Sequence, residues 1–353
     1  MSWPPDWLLG LIAAALGQVA FYTVSWPLDL LAGLIAAALG LVAFYAVWPH
    51  LVRPLFRVML FPRYRFRVCG LEHLPRSGPV LVVANHITWL DGFFLVATCP
   101  RRGKCLVNAA YLKFPPVRIL GCRAGLIPVP TAGAHAHRAV IEAARASLER
   151  GEALGIFPEA QVSRNGLLGS FYRGIEVILA GNENVPVVPV YLDNLWGSIF
   201  SHSDGRFFRK WPQGFRRTIC VAYGPSIPPP RTVYSVRQAL LSTSVRAYEL
   251  RSKPERPLET LNLSLPHIEH PTLGLLAAST ANHDEAGIRQ TGNKPGSVGH
   301  PVPGVALRVV DDSGQPLTEC TVGRLQALIA GKPDWVDTGL RGSIDRDGFV
   351  QVI

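Results

Sequence analysis

His86 and Asp91 lie five residues apart in "PVLVVANHITWLDGFFL" (79–95), among Ile87, Trp89, Leu90, Phe93 and Phe94. An imidazole beside a carboxylate can act as a general base: the acid fixes the tautomer and stabilises the imidazolium, and the other ring nitrogen takes a proton. No Ser or Cys is tied to the pair by sequence, so the nucleophile is read as a hydroxyl of the substrate. A structural helix cap at Asp91 would account for the spacing equally well. A second polar cluster lies in "GIFPEAQVSRNG" (155–166), where Glu159 is followed by Arg164. A carboxylate and a guanidinium after a strand end suit a polar, phosphate-bearing ligand; a capped turn with a surface Arg is the plainer alternative.

The elements around these residues read as alternating strands and helices. Strands are expected at "YRFRVCG", "GPVLVVANH", "EALGIFPEA", "VPVVPVYL" and "RTICVAYGPSI", and helices at "HAHRAVIEAARASLERG" and "GSFYRGIEVILAGNEN". This alternation predicts an α/β domain with a mainly parallel sheet. His86 would then sit at the end of a strand, where ligand sites of such sheets gather.

The chain has 353 residues and a net charge of +10 with only 17% charged residues. Basic and apolar together fit a membrane surface, and the scattered Arg argues against nucleic acid as a partner. Six cysteines form no C-x-x-C pair and no metal spacing, which points to reduced thiols in a cytosol-facing protein. His135 and His137 could pair on a metal, but a helix start is the simpler setting, and no metal or cofactor is expected.

The first 52 residues hold no Lys or Arg and contain a tandem repeat: 2–24 returns as 25–47, differing only at Pro5/Leu28, Trp7/Leu30, Leu9/Ala32, Gln18/Leu41 and Thr23/Ala46. Each copy has an apolar stretch near the lower length limit for a bilayer span. A charge at the membrane centre costs about 2.5–3.5 kcal/mol, so Ser25 to Asp29 is expected to be a break or an interface, with one or two spans left open. Trp3, Trp7, Trp26 and Trp48 suit interfacial belts, while a buried soluble hairpin is the alternative. Arg53, Arg57, Arg63, Arg65 and Arg67 follow at once. By the positive-inside rule the remainder faces the cytoplasm, integral to the cytoplasmic (inner) membrane.

Four ordered blocks, N-H-I-T-W-L-D (85–91), I-P-V-P-T (127–131), F-P-E-A-Q-V-S-R-N-G (157–166) and V-P-V-V-P-V-Y-L (185–192), resemble those of the glycerolipid acyltransferase superfamily. The resemblance covers about 64–250. It implies that His86 is the base and Asp91 its partner, and that Asn85, Phe157, Pro158, Glu159 and Arg164 line the substrate site. The implied reaction moves a fatty acyl group from an acyl carrier protein or coenzyme A thioester to a lysophospholipid hydroxyl. Three departures stand out. Ala160 replaces the usual Gly after Pro-Glu, Val129-Pro130-Thr131 lack the common Arg of the second block, and Gln161-Val162 lack that of the third. Arg164 becomes the main phosphate contact, and a larger head group is as admissible as lysophosphatidate.

Residues 251–280 read as a Pro-rich linker after a membrane anchor (1–50) and an acyltransferase domain (51–250). Segments of 281–353 resemble pieces of AMP-forming acyl-activating enzymes, in the order found in bifunctional acyl-ACP synthetase/2-acylglycerophosphoethanolamine acyltransferases. No phosphate loop with a Lys is present, and the family's T-G-D reads Thr338, Gly339, Leu340. The tail is therefore expected to be a small β-rich remnant, partly disordered and without adenylating activity. Cutting after Leu250 would then leave acyl transfer within a few-fold. A non-catalytic membrane or interaction protein derived from a decayed fusion is the alternative function.

Overall fold

The computed structural model describes residues 6–130, 136–203, 216–251, 264–285 and 288–353. His135, Thr131, Trp3 and the side chains of Trp7, Trp26 and His137 lie outside the described residues. The chain divides into two units, Met1–Val52 and Arg53–Ile353.

The described residues of the first unit, 6–52, lie in α1 (Asp6–Leu60), which runs through them as one helix. The expected break at Ser25–Asp29 is not formed. Both copies are rich in Ala and Leu, the best helix formers, and Pro27 removes one backbone donor without departing from a helical φ. Leu30, Leu31, Leu34, Ile35, Leu39, Leu41 and Val42 are exposed. Asp29–Leu60 is long and apolar enough to cross a membrane, with a mean hydropathy of 2.4 in its most apolar window.

In the second unit, β1 (Tyr64–Cys69) and β2 (Val80–Ala84) lead to α2 (Asp91–Thr98) and β3 (Gly103–Asn108). Then come α3 (Pro115–Ala124), β4 (Leu126–Val129), α4 (Ala136–Glu149), β5 (Ala153–Ile156), α5 (Gly174–Leu179), β6 (Val187–Asp193), β7 (Arg217–Tyr223) and α6 (Val233–Glu249). The seven strands order as β1-β7-β6-β2-β5-β3-β4, parallel at every pairing except β6 with β7. This is the α/β sheet expected. Its central strand, β2, is buried along its whole length, as a strand covered on both faces must be. Within this unit the last turns of α1 are pinned to α2: Arg57 Nε donates to Ala97 O (2.8 Å), and Phe56 meets Phe93 edge-on.

The rest is all-β: β8 (His267–His270), β9 (Gly274–Ala278), β10 (His283–Glu285), β11 (Ile288–Gln290), β12 (His300–Pro301), β13 (Val305–Val310), β14 (Gly323–Ile329), β15 (Val336–Ile344) and β16 (Val350–Val352). Two of these strands fall inside the range read as a linker. The described residues of the tail are packed. Ile268, Leu276, Val302, Leu307, Val309, Leu325 and Val350 form a core that includes Tyr234 of α6. Ala306 and Leu328 join the main core with Val236, Leu240 and Val245. The tail thus covers its apolar face with α6, which lies between the sheet and the tail. All six cysteines are free thiols; Cys99 and Cys220 are buried, and Cys320 is exposed.

Candidate active site

β2 ends at Ala84, and the next residue fastens the strand end. Asn85 is fully buried; its Oδ1 accepts from Leu192 N (2.7 Å) and its Nδ2 donates to Leu192 O (3.0 Å), continuing the β2–β6 ladder with a side chain. The chain then turns through His86–Leu90 into α2. Asp91, the first residue of α2, is also fully buried. Its Oδ2 accepts from Ile87 N (2.5 Å), Thr88 N (2.8 Å) and His86 Nδ1 (2.9 Å), while Oδ1 accepts from Thr88 Oγ1 (2.5 Å). Asp91 therefore ties down the turn that precedes α2 and holds the imidazole with one carboxylate, while the N-cap position of α2 is Leu90, without a side-chain cap. Because Asp91 accepts at Nδ1–H, the free pair of the neutral ring lies on Nε2. Nε2 has no hydrogen bond to a described residue, and the side chain is 21% exposed. Phe157 stacks on the ring, centroid to centroid 4.4 Å.

The second cluster approaches His86 through the backbone. Glu159 is 1% exposed; its Oε1 accepts from His86 N (2.8 Å) and its Oε2 from Gly169 N (2.7 Å). Burial pushes its carboxyl up to about 7, although the two backbone N–H groups pull it down. Ser163 N donates to His86 O (2.8 Å). Both backbone polar groups of His86 are thus held by the 157–166 loop. Behind that loop, buried Arg237 of α6 donates to Leu168 O (2.7 Å) and Gly169 O (2.6 Å).

The structure brings His86, Asp91, Phe157 and Glu159 together. Asn85 and Glu159, expected to touch substrate, instead spend their polar atoms on backbone, and Pro158 is buried. Arg164 is half-buried, its Nη1 donating to His202 Nδ1 (2.6 Å). Sequence reasoning missed Thr88, Ser163 and Arg237. A signal existed for Thr88, because Thr-x-x-Asp before an apolar run is the pattern of a reciprocal helix cap. Trp89 and Phe93, close to His86 and Asp91 in sequence, are exposed, and Trp89 meets exposed Tyr111 edge-on (4.9 Å). Among the described residues, no group of His, Cys, Asp and Glu could hold a metal.

Ala160 has φ +50°, a left-handed conformation that costs a residue with Cβ about 1–2 kcal/mol. Ala160→Gly is expected to raise stability by about 1 kcal/mol, measured as the shift in urea midpoint at constant m-value.

Residues 65–193 match the family model described as Acyltransferase. The chain is 27% identical over 145 residues to the 1-acyl-sn-glycerol-3-phosphate acyltransferase LPAT1, chloroplastic, of Arabidopsis thaliana, covering 40% of each protein. It is 28% identical over 127 residues to the 1-acyl-sn-glycerol-3-phosphate acyltransferase of Borreliella burgdorferi, covering 36% of this chain and 50% of that one. The chain thus spans no more than half the length of either relative. Among solved structures, the 1-acyl-sn-glycerophosphate (LPA) acyltransferase PlsC from Thermotoga maritima aligns at 19% identity with a TM-score of 0.45, over 59% of this chain and 81% of that chain. The family match spans the segment that holds His86, Asp91, Glu159 and Arg164.

Proposed function

We propose that the chain is a membrane-associated O-acyltransferase that moves a fatty acyl group from a thioester to the hydroxyl of a lysophospholipid bearing a phosphate. The observation that carries this reading is the buried Asp91 carboxylate on His86 Nδ1, with Nε2 making no hydrogen bond to a described residue. Nε2 would take the proton of the acceptor hydroxyl as its oxygen attacks the thioester carbonyl. The tetrahedral intermediate collapses with loss of the thiolate, which recovers the proton from the imidazolium. Asp91 stabilises the imidazolium in between. Arg164 is the group we assign to the acceptor phosphate. Glu159 and Asn85 act as positioning residues, through the backbone of His86 and the end of β2. Acyl carrier protein and coenzyme A thioesters both satisfy this chemistry as donors. The apolar helix Asp29–Leu60, which carries Arg53 and Arg57 near its C-terminal end and is followed by Arg63, Arg65 and Arg67, is read as the membrane anchor, with the catalytic unit on the cytoplasmic side. The tail, on its motifs, is read as a fragment of an acyl-activating enzyme put to structural use.

The test is a panel of 1-acyl acceptors presented to the purified chain in detergent with acyl-CoA and acyl-ACP. Phosphate-bearing acceptors are expected to be esterified, and monoacylglycerol, which lacks the phosphate, to be at least about tenfold poorer in kcat/KM, the worth of one charge-assisted contact. Equal use of monoacylglycerol would remove Arg164 from the acceptor site.

A further inference from the structure

The loop 161–166 has the catalytic-site backbone on one side and the tail on the other. On the inner side, Ser163 N donates to His86 O (2.8 Å). On the outer side stands Gln290, the last residue of β11, in a strand pair with β10 in the register His283 with Gln290. Gln290 is 4% exposed. Its Oε1 accepts from the backbone N of Arg164 (2.6 Å), and its Nε2 donates to Asn165 Oδ1 (2.7 Å). Two further tail contacts flank it: Gln161 Nε2 donates to Arg289 O (3.1 Å), and Asn165 Nδ2 donates to Thr280 Oγ1 (2.7 Å). A buried primary amide that satisfies a backbone N–H and a side chain of a distant loop fixes that loop's conformation, because losing it strands buried polar groups.

We propose that Gln290 is a positioning residue for Arg164, and that the β10–β11 pair is a built-in wall of the acceptor's phosphate-binding loop. The inference deepens the acyltransferase reading and rests on it: the all-β tail becomes a determinant of acceptor affinity. Gln290 reaches no reacting atom. It acts on where the Arg164 backbone stands, and so on where the guanidinium meets the phosphate.

The experiment uses the full chain in detergent with two variants, Gln290→Ala and the volume-keeping Gln290→Met. Two readouts are taken. In hydrogen exchange, the Arg164 amide is expected to exchange roughly tenfold faster in both variants, the worth of one hydrogen bond. In kinetics, KM for 1-acylglycerol 3-phosphate is expected to rise roughly tenfold with kcat within about twofold, and the effect should vanish in an Arg164→Ala background, since interacting residues are not additive. Unchanged Arg164 exchange in both variants would overturn the proposal. So would a fall in kcat at constant KM, which would mean that the tail acts on His86 instead. A wild-type chain that esterifies no acceptor would sink the acyltransferase reading alone, and the exchange result would still decide whether Gln290 holds the loop.

Discussion

His86→Ala is expected to lower acyl transfer by roughly 10²–10⁴-fold, the range attributed to a positioned general base, with little change in KM. The imidazole contributes one side-chain hydrogen bond, to Asp91, and a stacked contact with Phe157. The backbone bonds of His86 to Glu159 and Ser163 survive the substitution. The fold should therefore persist, and a melting curve close to that of the wild type separates lost chemistry from lost structure. Asp91 differs in this respect. It accepts four hydrogen bonds with no exposed surface, so its replacement disturbs the turn as well as the base, and His86 is the cleaner probe. Turnover within a few-fold of wild type in a folded His86→Ala protein would remove the base from the mechanism.

Removing the tail after Leu250 is expected to unfold the catalytic unit. α6 buries Val236, Leu240 and Val245 in one core with Ala306 and Leu328 of the tail, while Tyr234 joins the tail's own core. At Gly304, an added Cβ would come within 2.8 Å of the Tyr248 ring, a measure of how closely the tail backbone lies on α6. Each large apolar side chain returned to water costs about 1.5–3 kcal/mol, and a domain holds only about 5–15 kcal/mol in reserve. Two or three such exposures, together with the loss of Gln290 from the 161–166 loop, take most of that reserve. Size-exclusion profiles in detergent and thermal melts should show aggregation or a lost cooperative transition. A truncated chain that melts cooperatively and transfers within a few-fold of full length would restore the tail to a dispensable remnant, as its sequence alone implied.

Much of the sheet was legible because parallel strands buried on both faces read as apolar runs: "VLVVA", "ALGI" and "VVPVYLD" each become a strand. The His86–Asp91 pair was legible because five residues across a strand-to-helix turn bring the two side chains together. The helix α6 left no such trace. Val233, Val236, Leu240 and Leu241 alternate with buried Arg237, Thr243 and Ser244, so two packed faces blur the one-sided apolar stripe that marks a surface helix. The roles of Asn85 and Glu159 were illegible for another reason. Each partner is a backbone group, of Leu192, His86 or Gly169, and a residue type at a motif position does not reveal whether it faces ligand or main chain. Gln290 lies 126 residues beyond Arg164, and only the folded contact joins them. The continuous α1 ran against the reading of Ser25–Asp29 because one proline and one acid weigh less than the Ala and Leu on either side.

The central claim is that the imidazole held by Asp91 drives transfer of an acyl group onto a lysophospholipid hydroxyl. Its most direct measurement is product formation: the purified full-length chain in detergent, given isotope-labelled acyl thioester and 1-acylglycerol 3-phosphate, with the lipid products read by mass spectrometry. The account predicts a labelled diacyl product whose mass is the acceptor plus the acyl group, with one free thiol released per ester formed, and both at least about a hundredfold slower in His86→Ala. Thioester consumed with only free fatty acid released would contradict it, as would no labelled diacyl lipid from any donor and acceptor supplied.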